Sequence, residues 1–459
     1  MDIEVYQHSV TLDPEKCKGC TTCLKRCPTE AIRIRQNKAI ILNERCIDCG
    51  ECIRVCDSHA KLAVTDPLDI IEGWKYKIAL PAPALYAQFP QIHRAEPILS
   101  ALFRMGFDDV FEVARASEVI AYAISKTLIM EDRPKPVISS ACPAIVRLIQ
   151  ENFPSLLDNL IDVMLPMEAA ARIAKEEYSL KRGVPVEEIG AFFISPCAAL
   201  MTQTRSPIGV EKSAVDGVIS IKDVYKPISS LLKEEICLPE DMERASVVGI
   251  KWDTTGGEAS AVGMRNALCV DGIDNVIHVL EQIENDRFDK LDYFEGRACV
   301  NSCLGGPLTV ENGFVATNRI NSVARHTSLR MVRRTPIFDD AASNMRMTAV
   351  IEQKNVMQLE GTWEERLSKV DKIERITAAL PGLDCGSCGS PNCRALAWDI
   401  VHGHANMMNC IHMLNARIGS LAKQMVALGK STRFEVEDLK TPGKDEAGHA
   451  KGESGMHAD

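Results

Sequence analysis

Cys17, Cys20, Cys23 and Cys27, in CKGCTTCLKRCP, follow a C-x2-C-x2-C-x3-C spacing, and Cys46, Cys49, Cys52 and Cys56, in CIDCGECIRVCD, repeat it. Thiolates are the ligands that soft iron and zinc sites select. Three of them on a tight loop wrap three corners of an iron–sulfur cubane, and the fourth, carried beyond on a short helix, reaches the cluster of the other half. Two 4Fe-4S clusters are therefore expected, one on Cys17, Cys20, Cys23 and Cys56, its partner on Cys46, Cys49, Cys52 and Cys27. Zinc is the alternative, and two copies in register argue against it. The stretches AIRIR and KLAVTD supply strands to cover the pair, and Asp57 stands where the first motif has Pro28. Clusters this close together conduct electrons.

Further along, ACVNSCLGG sets Cys299 and Cys303 four apart, with Cys142 after VISSA and Cys197 after AFFISP. A disulfide across one helical turn is poor geometry, and a zinc knuckle spaces its thiols more closely. A lone cysteine after a strand is commonly a small buried hydrophobe. Four together behind an electron-conducting module are what a further cubane demands. Cys385, Cys388, Cys393 and Cys410, in LPGLDCGSCGSPNCRALAWDIVHGHANMMNC, make a fourth set, three on a Gly/Pro/Ser loop and the last beyond a helix. A fourth 4Fe-4S cluster is expected there, with zinc as the alternative. Cys237 and Cys269 have no partner pattern and are expected to be buried structural thiols.

The elements that must position these residues alternate. KIALPAPAL, PKPVISSACPA, IGAFFISPCAAL and ASVVGIKW read as buried strands, and EPILSALFRMGF, AAARIAKEEYSLKRG and NVIHVLEQIEND as helices. This alternation predicts an α/β domain with a largely parallel sheet, whose ligands gather at the carboxyl ends of strands. TTGGEASA, from Thr254 to Ala261, reads either as glycines allowing close backbone approach to a cluster or as a plain turn. Ile411, Leu414, Ile418, Leu421, Met425 and Leu428 form an a/d seam. It fits a helix packed on its own domain or a dimer or signalling helix.

The expected organisation is a two-cluster ferredoxin domain at 1–73, a catalytic-type domain at 74–345, a connector at 346–375, a small helical 4Fe-4S domain at 376–412, a helix at 413–432 and a disordered tail at 433–459. His449 and His457 in that tail are expected to be solvated. The chain has 459 residues, 18 of them cysteine, 46% hydrophobic residues and a net charge of −10. That charge argues against nucleic-acid partners, which want concentrated positive surface. No apolar run is long enough to span a bilayer, and MDIEVYQHSVTLD lacks the order of a signal peptide. A cytoplasmic location is expected, where so many cysteines read as metal ligands rather than disulfides.

Residues 10–70 resemble bacterial-type two-cluster ferredoxins, and the Cys385–Cys410 stretch resembles the small 4Fe-4S domain of corrinoid iron–sulfur proteins and electron-transfer subunits. SSACPAIV, ISPCAALMT and EGRACVNSCLGG resemble the three signatures of the FeFe hydrogenase catalytic domain, so that the likeness covers about residues 10–335. It implies a two-lobed α/β hydrogenase-type core holding an H-cluster. Its cubane ligands would be Cys142, Cys197, Cys299 and Cys303, with Cys303 bridging to a diiron unit that carries CO, cyanide and a dithiolate; one helical turn of spacing would put Cys299 and Cys303 on one side of the cubane.

The departures matter. The family's proton-donating cysteine is replaced by Ala141, its cyanide-binding lysine by Leu200, and a methionine before the third signature's first cysteine by Arg297. Arg297 is the candidate source of the missing positive charge, and with Cys303 the candidate catalytic group. The usual acidic pair falls near Tyr122 and Ala123. Such losses resemble the family's divergent, sensory branches, and TTGGEASA resembles them too. The expectation is an iron–sulfur electron-transfer protein binding H2 slowly or as a sensor, served by redox partner proteins or subunits. The alternative is a non-catalytic electron-carrier subunit without a complete diiron site; a regulator signalling through the 411–428 helix is compatible with either.

Overall fold

The computed structural model describes residues 8–329, 344–354 and 359–431; the expected tail at 433–459, with His449 and His457, lies outside the described residues. In the N-terminal module β1 (Val10–Leu12), β2 (Ile32–Arg35), β3 (Lys38–Ile41) and β4 (Lys61–Ala63) form two antiparallel ladders, β1 with β4 and β2 with β3. Short helices at Thr22–Lys25 and Glu51–Arg54 carry the third cysteine of each motif. The stretches AIRIR and KLAVTD thus supply β2 and β4.

Seven strands follow: β5 (Tyr76–Pro81), β6 (Asp109–Val110), β7 (Val137–Ile138), β8 (Ile189–Ser195), β9 (Gly217–Ser220), β10 (Ala267–Asp271) and β11 (Tyr293–Arg297). They make two wholly parallel sheets, β6-β5-β8-β9 and β10-β11-β7, so the expected sheet is two. All seven residues of β8 are buried, as an unbroken apolar run covered on both faces requires. Helices Glu96–Arg104, Pro166–Arg182 and Ile273–Glu284 lie where the 3.6-residue periodicity puts them. ASVVGIKW departs from expectation: Val247–Ile250 is a short helix. Ser246 caps it by accepting the Val248 N–H, and a Cβ on Gly249 would lie 2.0 Å from the Ala114 carbonyl oxygen. Local capping and that close approach override the β propensity of the valines.

The helix Pro143–Asn152 ends beside a carboxyl with an unusual environment. Burial pushes Glu151 up to about 8, against the partial opposition of Lys354 and Arg45, and its Oε2 has no hydrogen-bond partner among the described residues. A carboxyl raised in the folded state contributes stability below its unfolded value that is lost as pH rises through its folded value. Stability should therefore fall between about pH 4.5 and about pH 8. Glu151→Gln should flatten that fall, read as the difference between anaerobic urea midpoints at pH 6 and pH 8.

A helix at Trp363–Ala379 crosses the expected boundary at 376, and a second spans Cys393–Val401. The chain divides into compact units at Met1–Ala405 and Asn406–Asp459. In the second, the helix Ile411–Ser431 leaves Ile411, Leu414, Ile418, Leu421, Met425 and Leu428 exposed. No described helix is long and apolar enough to cross a membrane. Cys237 is exposed rather than buried, and Cys269 is half-buried in β10.

Candidate iron–sulfur and central metal sites

The N-terminal cysteines form two groups that trade their last members. Burial raises the Cys23 thiol, and the thiols acting on it are Cys20, Cys56 and Cys17. Burial likewise raises Cys49, with Cys27 and Cys52 as its thiol neighbours, and Cys46, whose thiol neighbours are Cys52 and Cys49. Each crossing cysteine is held by a backbone amide: Ala31 N–H donates to Cys27 Sγ at 3.2 Å, and Ala60 N–H to Cys56 Sγ at 3.3 Å. Gly19, at φ +67°, turns the first loop where a Cβ would meet the Asn37 carbonyl oxygen at 2.4 Å.

The central cysteines come from both sheets. Cys142 follows β7 and Cys299 follows β11, while Cys197 follows β8; Cys142 and Cys197 each sit at the N-cap of a helix. Burial drives Cys197 well above its ordinary range, with Cys299 and Cys142 adding to it. Cys303 is raised by burial, then by Asp253, with Cys197 and Cys142 contributing, and Cys299 is pushed to about 11 by burial. The expected helical turn between Cys299 and Cys303 is absent. Asn301 and Ser302 take left-handed conformations at φ 62° and 56°, followed by a tight turn to Gly305. Such backbone costs on the order of 1–3 kcal/mol per residue and persists only where packing imposes it. The turn is held by the Asn301 N–H donating to Asp271 at 3.1 Å and the Ser302 N–H donating to the Cys299 carbonyl at 3.0 Å, and Gly306 beyond it packs closely on the Pro196 carbonyl.

A cavity of about 40 Å³ opens beside Cys303, with Ala141, Leu200, Trp252, Asp253 and Arg297 among its lining. Arg297 is 2% exposed and donates to Glu258 at 2.8 Å and Glu295 at 3.4 Å. Burial opposes its charge, but the two carboxylates outweigh it and hold the guanidinium above its ordinary pKa. Glu258 also accepts from Ser139 and Tyr293, and Glu295 from the Gly256 and Ala259 amides. Asp253 accepts the Ala84 N–H at 2.8 Å and lies against the Cys303 thiol.

The second ferredoxin loop meets this site directly. Arg54 reaches the Gly305 carbonyl at 3.5 Å and pairs electrostatically with Cys299, and a Cβ on Gly50 would strike Pro307 at 2.6 Å. Buried Asp48 accepts from the Ser9 and Val10 amides and from Thr202 on the helix after Cys197. Cys385 is exposed, and Cys388 and Cys393 are half-buried; Cys410 is buried in the other compact unit. The loop bearing the first three is laid along β2, with Ile34 N–H donating to the Gly389 carbonyl at 2.8 Å, and Lys25 to those of Pro391 and Asp384. Asp399 closes the contact, accepting from Arg33 and Arg35 at 2.7 Å each.

The family model described as "Iron only hydrogenase large subunit, C-terminal domain" matches residues 75–268, "4Fe-4S dicluster domain" matches residues 9–57, and "Putative Fe-S cluster" matches residues 380–412. Residues 75–268 thus carry an FeFe hydrogenase-like domain, with a 4Fe-4S dicluster module ahead of it. The FeFe hydrogenase-like chain is 26% identical over 278 residues to Iron hydrogenase 1 of Clostridium pasteurianum, covering 54% of this chain and 48% of that protein. It is 27% identical over 153 residues to an NADP-reducing hydrogenase subunit of Solidesulfovibrio fructosivorans, and 26% over 125 residues to a cytosolic Fe-S cluster assembly factor NAR1 homolog of Schizosaccharomyces japonicus. These matches cover 31% and 27% of this chain, and 26% and 24% of those relatives. The matched segments thus span about half or less of these relatives' lengths. A solved FeFe-hydrogenase variant from Chlamydomonas reinhardtii aligns over 61% of this chain and 95% of its own, at 14% identity and a TM-score of 0.48.

In this FeFe hydrogenase-like protein the donor chemistry fits iron–sulfur cages. Buried thiols of this kind stay neutral on their own and ionise when a metal supplies the compensating charge, since a coordinated thiol is deprotonated outright. Toward a diiron unit, Cys303 and Arg297 face the cavity, while Ala141 and Leu200 bring no polar atom to it. Sequence reading missed Glu258, Glu295 and Asp253. Glu258 lies within TTGGEASA, where the glycines drew attention; Gly257 in fact packs on its own turn, a Cβ there standing 2.0 Å from the Lys251 carbonyl. Asp399→Ala should cost about 3 kcal/mol in anaerobic denaturant unfolding, because it leaves the 3% exposed Arg33 guanidinium without its closest counter-charge.

Proposed function

We propose that the protein is a slow or sensory FeFe hydrogenase of the cytoplasm, binding H2 at an H-cluster on Cys142, Cys197, Cys299 and Cys303 and exchanging electrons with redox partner subunits. The observation that carries this reading is the cavity that has both Cys303 and Arg297 in its wall. Held there, a diiron unit would supply the redox-active iron needed to split H2 into two protons and two electrons. The chain's own contribution is placement: Cys303 offers a thiolate to the cavity, and Arg297 a cation fixed by Glu258 and Glu295. With alanine at 141, no thiol stands there to hand over a proton, and low turnover follows.

The Cys17, Cys20, Cys23, Cys56 and Cys46, Cys49, Cys52, Cys27 sets carry two 4Fe-4S clusters, and Cys385, Cys388, Cys393 and Cys410 a further one. Two contacts support an electron path through them: the Cys385–Cys393 loop lies along β2, and Arg54 joins the second ferredoxin loop to Cys299 and Gly305. The hydrogenase subunit among its relatives supports redox partner subunits. The exposed 411–428 seam is where a second copy would dock.

A specific observation favours a second reading, an electron carrier with a cubane alone at the centre. Leu200 offers no donor to an anionic ligand, and Asp253 places a carboxyl beside Cys303. Maturation with hydrogenase assembly machinery followed by infrared spectroscopy separates the two. Bands from iron-bound CO and cyanide are expected; their absence beside a full complement of cubanes would leave the carrier.

A further inference from the structure

Lys61 opens β4 and is 2% exposed, yet its Nζ has no hydrogen-bond partner among the described residues. An ammonium loses its hydration on burial and must find negative charge in exchange, which is why lysine is almost never fully buried unpaired. The internal repeat sharpens the anomaly. Counted from the fourth cysteine of each motif, Lys61 after Cys56 corresponds to Ile32 after Cys27. Ile32 is equally buried, in an apolar cluster with Cys23, Cys46 and Cys52. One half of a pseudo-symmetric module fills this position with hydrocarbon and the other with a cation.

The backbone fixes where that cation starts. Lys61 pairs with Leu12 across the β1–β4 ladder, the preceding amide holds Cys56, and β4 lies beside the helix that carries Cys52. Its charge acts on Cys23 and Cys52, one thiol from each group of four.

We infer that Lys61 is a positioning residue for the N-terminal pair: its ammonium reaches between the two clusters, donates to their sulfur and raises their reduction potentials. The inference rests on the reading that these two groups hold 4Fe-4S cages. Such a cage on four thiolates is already negative, and reduction adds one electron and no proton. A fixed cation in a dry site therefore favours the reduced form over the oxidised one. The pair accepts electrons from a weaker one-electron donor than a pair with isoleucine in both halves.

The test uses the full chain, purified anaerobically, as wild type, Lys61→Met and Lys61→Arg. Iron and acid-labile sulfide are counted first. The N-terminal signals, assigned by their loss in Cys23→Ser and Cys52→Ser, are then followed by paramagnetic resonance through a dithionite titration. Lys61→Met should keep its iron and shift at least one N-terminal reduction equilibrium about tenfold toward the oxidised form, a fall of about 59 mV for one electron. Lys61→Arg should stay within about threefold of wild type, about half that shift. Unchanged midpoints at full iron content overturn the inference. So does loss of N-terminal iron from both variants, which would make the side chain a structural prop. Wild-type N-terminal sites without iron overturn the cluster reading itself, and this inference with it.

Discussion

Cys303→Ser, in protein matured with the hydrogenase assembly machinery, is expected to abolish the CO and cyanide infrared bands and lower H2 turnover by at least about 100-fold, with the ferredoxin clusters intact. Of the four central thiols, Cys303 is the one that lines the cavity. The groups acting on it are Asp253, Arg297, Cys197 and Cys142, none of them in the N-terminal cluster module. The N-terminal thiols answer chiefly to one another, to Lys61 and to their own loop amides. Their iron, counted per chain and seen by paramagnetic resonance, should stay at the wild-type level. Equal loss of every cluster would count against separate sites, and bands that survive the substitution would count against Cys303 as the bridge.

Arg297→Met, which restores the methionine expected from the family resemblance, is expected to destabilise the protein by about 3–5 kcal/mol. The reason is the company Arg297 keeps. Glu258 and Glu295 are both 0% exposed, and removing the guanidinium leaves two buried carboxyls without their counter-cation. Burial already raises Glu295, with Arg297 as the chief opposing influence. Pairing the change with Glu258→Gln should recover part of the loss, because an amide keeps a partner for Tyr293 while shedding the charge. Anaerobic urea unfolding of the wild type, both single variants and the double variant gives the coupling energy directly. Additive losses would mean that Arg297 and Glu258 do not act as a pair. A positive coupling energy is expected, because Arg297 and Glu258 are joined by a buried 2.8 Å ion pair.

Much of the site was legible because its grammar is local. A cubane edge is short, so three thiolates must come from one tight loop, and that requirement is written as spacing within a dozen residues. Strand ends are legible for a similar reason, since an unbroken apolar run such as IGAFFISP followed by a turn and a helix marks where a parallel strand stops. The failures share a cause as well. ASVVGIKW reads as a strand until the Ser246 cap and the contact at Gly249 are known, and the four-residue gap from Cys299 to Cys303 reads as a helical turn until the bond from the Asn301 amide to the distant Asp271 is known.

By itself, then, the sequence set out four cysteine groupings to expect, most of the strands and helices that position them, and the signatures of iron–sulfur and hydrogenase-like domains. Tertiary structure alone decided the company of the buried charges: Glu258 against Arg297, Asp399 against Arg33, and a lysine at 61 with no hydrogen-bond partner among the described residues. Metal ligands obey the reach of a short loop, whereas a buried charge takes whichever opposite charge packing brings to it, and packing ignores distance along the chain.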